Sequence, residues 1–113
     1  MSTIIRNQES LEWIRNPKHR DVFLRHLATS KENDRLSAHI VKIEKDGEIV
    51  PHTHEILEVF YIMKGEGLVL ANGERVKAAA GDCIIAHPGE EHGLINTGEG
   101  EILLYAVFSP ANC

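Results

Sequence analysis

The sequence predicts an all-β domain, an antiparallel sandwich or barrel with little helix. Three observations carry that expectation. Apolar runs are short and recur along the chain, turn residues separate them, and a helical repeat is almost absent. Residues 22–27 read as the first strand. In 36–44, Ser37, His39, Val41 and Ile43 alternate with Ala38, Ile40, Lys42 and Glu44. Lys42 and Glu44 mark a solvated face, so His39, Val41 and Ile43 should point inward. Asp46-Gly47 signals a turn. Residues 58–64 and 67–71 are further strands, parted by Gly65-Glu66-Gly67. Asn72-Gly73 predicts a tight hairpin, because both residues tolerate positive φ. Residues 75–77 return, Gly81-Asp82 turns, 83–86 is apolar, and Pro88-Gly89 turns again. Residues 102–108 form a last, fully apolar strand before Pro110. The one helical piece is 9–15, which Pro17 would end. Its Leu11, Trp13 and Ile14 fit a strand or a packed loop equally well.

The 113 residues suit a single domain, 1–113, with 1–20 as an N-terminal arm and 21–110 as the barrel. A net charge of -5 speaks against nucleic acid, since phosphate binding wants a basic face. No apolar run is long enough to span a membrane, and none near the start reads as a signal peptide. Cys83 and Cys113 make no disulfide framework, so a cytoplasmic location is expected.

The chemistry concentrates in Pro51-His52-Thr53-His54-Glu55-Ile56-Leu57-Glu58. On an extended strand, His52 and His54 share a face, and Glu58 keeps that parity. Two imidazoles and a carboxylate suit Fe, Mn, Ni, Zn, Co or Cu better than Ca or Mg. Phe60 and Ile62 continue the parity and should wall the ligands as pocket residues. Downstream, a strand enters the Pro88-Gly89 turn and then presents His92, a fourth donor.

These two segments resemble the paired motifs of the cupin superfamily. The first motif is a glycine, His-x-His, a glutamate and a second glycine. His52, His54, Glu58 and Gly65 stand at its spacing, with Gly47 one residue nearer His52 than the pattern asks. Gly81, Gly89, His92 and Asn96 match the second motif, with His87 where proline is usual. The resemblance implies an antiparallel double-stranded β-helix, or jelly-roll barrel. It also implies one divalent metal on His52, His54, Glu58 and His92.

Around that centre, His87 and His39 are candidate acid–base and pocket residues. Asn96 reads as structural, holding a turn through its amide. Glu55 has the opposite parity and should be solvated. His19 and His26 read as surface or interface residues, Tyr61 and Tyr105 as packing residues, and Cys83 as an inert buried thiol. Either Arg25 or His26 should face the cavity, and an inward arginine would favour an anionic substrate. Val59, Tyr61 and Met63 form an outward apolar row that wants cover, which predicts a homodimer.

Four protein ligands leave an open position for a small polar or anionic metabolite. An enzyme of isomerase, lyase or dioxygenase type is the favoured expectation. A non-catalytic module binding a sugar or organic acid is the second. A structural metal in an inert barrel, closed and tetrahedral, is the third.

Overall fold

A computed structural model of the chain describes residues 2–113. After a 3-10 turn at Gln8–Ser10, nine strands follow: β1 Ile14–Arg15, β2 Arg20–Ala28, β3 Ser37–His52, β4 Leu57–Lys64, β5 Glu66–Ala71, β6 Glu74–Ala79, β7 Cys83–Ala86, β8 His92–Asn96 and β9 Ile102–Ser109. All pair antiparallel in one curled sheet, in the order β6-β5-β8-β3-β9-β4-β7, with β2 on β3 and β1 on β2. This is the jelly-roll, or double-stranded β-helix, architecture.

The long β3 closes the barrel. Its first half pairs with β2 and β9, from Ser37↔Phe108 to Ile43↔Ile102 on the β9 side. Its second half pairs with β8, through Glu48↔Ile95 and His52↔His92. The turn expected at Asp46-Gly47 is a bend inside this one strand. Asp46 takes φ 65°, and a Cβ on Gly47 would lie 2.8 Å from the carbonyls of Arg20 and Glu44. A side chain there would collide with backbone, so the bend needs glycine. The Asn72-Gly73 hairpin forms as expected, with φ of 54° and 78° joining β5 to β6.

The core follows strand alternation. Val22, Val41, Ile43, Phe60, Ile62, Leu94, Ile102 and Leu104 are buried together, and Leu24, Ile49, Ile84 and Phe108 pack on them. The helix expected at 9–15 does not form. The 3-10 turn and β1 replace it, and Trp13 lies against side chains of β2 and β3. There the Arg25 guanidinium stacks over its ring at 4.2 Å and the Lys42 ammonium at 4.5 Å.

Candidate metal centre

The four expected donors converge. His52 closes β3, His54 sits in the link to β4, Glu58 lies on β4 and His92 opens β8. One ligand atom from each lies within 4.8 Å of all the others. They do not share one extended strand, as the parity reading had it. The chain leaves β3 after His52 and re-enters the sheet at Leu57. The β3–β8 register puts His52 opposite His92, while β4 brings Glu58 in from another part of the barrel wall. Glu58, Phe60 and Ile62 keep their common inward face, as β4's alternating burial shows.

The hydrogen bonds fix the state of the imidazoles. His52 Nδ1 lies 2.8 Å from the Val50 carbonyl, His54 Nδ1 2.9 Å from the Ile56 carbonyl, and His92 Nδ1 3.0 Å from the Glu90 carbonyl. A carbonyl oxygen only accepts, so each Nδ1 carries the proton and donates. Nε2 is then the atom each ring has left to offer a ligand. Glu58 Oε1 sits 2.9 Å from His92 Nε2 and 3.3 Å from His54 Nε2. At those distances a proton or a cation lies between the carboxylate and the ring nitrogens. The two rings with resolved shifts respond in opposite directions. Burial holds His52 below the usual imidazole range. Burial also acts downward on His92, but its bonds to Glu58 and to the Glu90 carbonyl outweigh that and raise it. Three aligned imidazoles and a buried carboxylate are the donor chemistry of a divalent transition metal, so the residues fit the group.

The centre opens on a cavity of about 450 Å³. Lys18, His19, Thr53, Phe108 and Asn112 are among its lining residues. His19 was expected at the surface, and no periodicity or motif marks it. It comes from the N-terminal arm, and its ring centroid lies 5.0 Å from that of His52. The Val50 N–H donates to its Nδ1 at 3.0 Å, which leaves Nε2–H as the ring's donor. Burial and the neighbouring His52 push its pKa down to about 4, so it stays neutral near pH 7. The backbone of Val50 thus orients both rings, its N–H donating to His19 and its carbonyl accepting from His52.

Other expected site residues lie elsewhere. His87, expected in the pocket, is on the surface with its side chain 67% exposed and bound to Glu90 at 3.1 Å. The Pro88-Gly89 turn carries it outward. His39 is buried as expected, but behind Phe108 and outside the cavity lining. Phe60 and Ile62 pack in the core, and Phe108 supplies the aromatic wall beside His54, at 6.0 Å. Arg25 does not face the cavity. Its guanidinium bonds the Leu11 carbonyl and Gln8 outside the barrel, while His26 points towards His39.

Cys83 is exposed rather than buried, because it shares the outward parity of Ile85 on β7. Tyr61 and Tyr105 stand in register on the outer face and remain 44% and 41% exposed. Glu55 is exposed. Asn96 is structural: its amide donates to the carbonyls of Ile43, Glu44 and Gly100, and its oxygen accepts from Gly98 N–H.

Comparison with known proteins bears on the family and the fold. A protein of Thermotoga maritima named "Oxalate-binding protein" is 35% identical over 68 residues, 59% of this chain. The match covers 56% of that relative, so the chain spans little more than half its length. The solved structure of a predicted oxalate decarboxylase from Thermotoga maritima superposes with a TM-score of 0.85 at 25% identity, covering 95% of this chain and 99% of that one. An RmlC-like cupin from Shewanella frigidimarina gives 0.84 at 25% identity, covering 98% and 94%. The polyketide cyclase of Streptomyces resistomycificus gives 0.83 at 19% identity, covering 96% and 80%, a likeness of fold alone. The sequence pattern of the cupin domain matches residues 39–108, which hold all four donors. The chain belongs to the cupin domain family.

Proposed function

We propose that this cupin holds one divalent transition metal (Fe, Mn, Ni, Zn, Co or Cu) on His52, His54, Glu58 and His92, and binds a small carboxylate-bearing anion beside it. The observation that carries this reading is the set of three imidazoles whose Nδ1 atoms are engaged by backbone carbonyls, with one ligand atom from each of the four residues within 4.8 Å of the others. A divalent ion bound to one carboxylate keeps about one positive charge, which favours an anionic oxygen ligand. The cavity adds donors of the same preference, the Lys18 ammonium and the His19 Nε2–H. The relative named for oxalate binding supports the same ligand class. The open cavity speaks against a closed structural site.

Binding is favoured over turnover by where the acid–base candidates lie. His87 is on the surface and His39 stands behind Phe108. His19 has its Nδ1 lone pair engaged and is a poor base. When bound, the metal supplies Lewis acidity. The chain's residues then orient an anion and shield one side of it with Phe108. Calorimetric titration of oxalate into Mn(II)-loaded and metal-free protein tests this. Saturable binding to the loaded form alone is expected, with oxalate unchanged by ¹³C NMR after long incubation. No oxalate binding to either form would refute the reading, and consumed oxalate would replace binding by catalysis.

The outer face of β4, β7 and β9 exposes Tyr61, Met63, Ile85 and Tyr105. We read this row as the seat of a second copy of the chain, giving a homodimer. A monomeric mass by light scattering at micromolar concentration would contradict it.

A further inference from the structure

A second cluster of metal-binding side chains lies on the other side of Phe108. The Phe108 ring packs edge-on against His54 at 6.0 Å and against His39 at 5.5 Å. His39 is 2% exposed and faces its register partner His26 across the β2–β3 ladder, with the two Nδ1 atoms 2.8 Å apart. Cys113 Sγ lies 3.8 Å from His26 Nδ1 and 3.8 Å from His39 Nε2. Hydrogen bonds hold the chain there: Ser30 N–H donates to the Cys113 carbonyl, Ala111 N–H to the Asp34 carbonyl, Asn112 N–H to Ser37 Oγ at 3.2 Å, and Ser37 Oγ–H to Asn112 Oδ1 at 2.7 Å. The ligand atoms all fall within 4.8 Å of one another.

We propose that His26, His39 and Cys113 form a second metal site, of two imidazoles and one thiolate, that takes a borderline or soft ion such as Zn(II) or Cu(I). With Zn–N near 2.1 Å and Zn–S near 2.3 Å, tetrahedral geometry sets N and S donors about 3.6 Å apart. The two observed N–S separations, 3.8 Å each, are within a few tenths of that, whereas the 2.8 Å between the two Nδ1 atoms is the spacing of a hydrogen bond and widens when an ion enters. The hydrogen bond between the rings fits the required tautomers. With His39 Nδ1–H donating to His26 Nδ1, His39 Nε2 offers its lone pair towards Cys113. An arriving ion takes that lone pair with Cys113 Sγ, and the His26 ring turns out of the inter-ring hydrogen bond to bring its Nδ1 to the same ion. The thiol gives up its proton to solvent, one proton per ion.

Burial and the neighbouring His26 push His39 down to about 4, so protons do not compete for it near pH 7. The site opens on a groove of about 410 Å³ beside Thr29, Lys31 and Glu32, which gives an ion its entry. Glu32 is already engaged by Thr29 N–H and Arg6, so the fourth position falls to solvent. A thiolate here and a carboxylate at the first centre give the two sites different metal preferences.

Co(II) is the probe, titrated under reducing conditions into metal-free protein in which Cys83→Ser removes the other thiol. The expected result is two equivalents per chain, one of them producing a thiolate-to-cobalt absorption band in the near ultraviolet. Cys113→Ser should abolish the band and one equivalent, leaving the other. The double variant His52→Ala with His92→Ala should keep the band and lose the other equivalent. Zn(II) should erase the band by competition. Absence of the band in the Cys83→Ser protein, or its survival in Cys113→Ser, would overturn the proposal.

Discussion

The two histidine clusters flank one aromatic ring, yet the chain builds them by different means. At the first, each imidazole is oriented by a carbonyl two residues away in sequence, at Val50, Ile56 and Glu90. Orientation is therefore local, while the contacts of His92 with Glu58, His52 and His54 span a long stretch of chain. At the second, His26, His39 and Cys113 come from separate elements and meet only through the β2–β3 ladder and the anchored 112–113 segment. A locally oriented site leaves a spacing in the sequence; a site assembled by tertiary contacts does not.

The sharpest way to break the first cluster while sparing the second is His92→Ala. It removes a donor and leaves Glu58 without its nearest partner. Metal affinity at the first centre should fall by more than about 100-fold, beyond the usual effect of losing an outer hydrogen bond. Equilibrium dialysis with elemental analysis reads this directly, and an unchanged affinity would contradict the ligand assignment.

Phe108→Ala removes the ring between the clusters. A half-buried aromatic of this size should cost about 2 kcal/mol in chemical denaturation. It should also raise solvent access to both His39 and His54. A loss well under 0.5 kcal/mol would mean that the ring is not packed as described.

Acid should separate the buried histidine from its neighbours. His39 titrates near 4 when folded, against 6.5 unfolded. Between those values the unfolded chain binds more protons, so stability falls as pH drops from about 6.5 to 4, by at most about 1.4 kcal/mol per pH unit for this residue. Above 6.5 its contribution is constant. The metal-free parent should therefore lose stability more steeply over that window than His39→Gln, as urea midpoints at stepped pH would show. Equal slopes would remove His39 as the cause.

The smallest effect belongs to the cavity rim. Lys18→Ala should weaken anion binding to the loaded protein by roughly threefold to tenfold, in a salt-dependent way, and leave metal affinity unchanged.

What the sequence made legible follows the same divide. Alternation on 36–44 placed Val41 and Ile43 inside, and Asn72-Gly73 located its hairpin, because both signals depend on neighbouring residues. The spacing of His52, His54, Glu58 and His92 located the four donors, although its one-strand explanation was too simple. The bend at Gly47 hid from the turn signal because β3 continues through it. Cys83 looked buried in an apolar run whose outward half faces solvent. His19 carried no signal, since it owes its place to an arm that arrives from elsewhere, and the strand 22–27 left open whether Arg25 or His26 turns inward, which the contact with His39 decides. His87 stood near the second motif in sequence, but a two-residue turn carries it to the surface.

One metal held by His52, His54, Glu58 and His92 is open to direct observation. An anomalous difference map from crystals of Mn(II)- or Ni(II)-loaded protein tests it most directly. The account predicts a peak at about 2.0–2.2 Å from the Nε2 atoms of His52, His54 and His92 and from a Glu58 oxygen. A loaded crystal with no peak among those four side chains would contradict it.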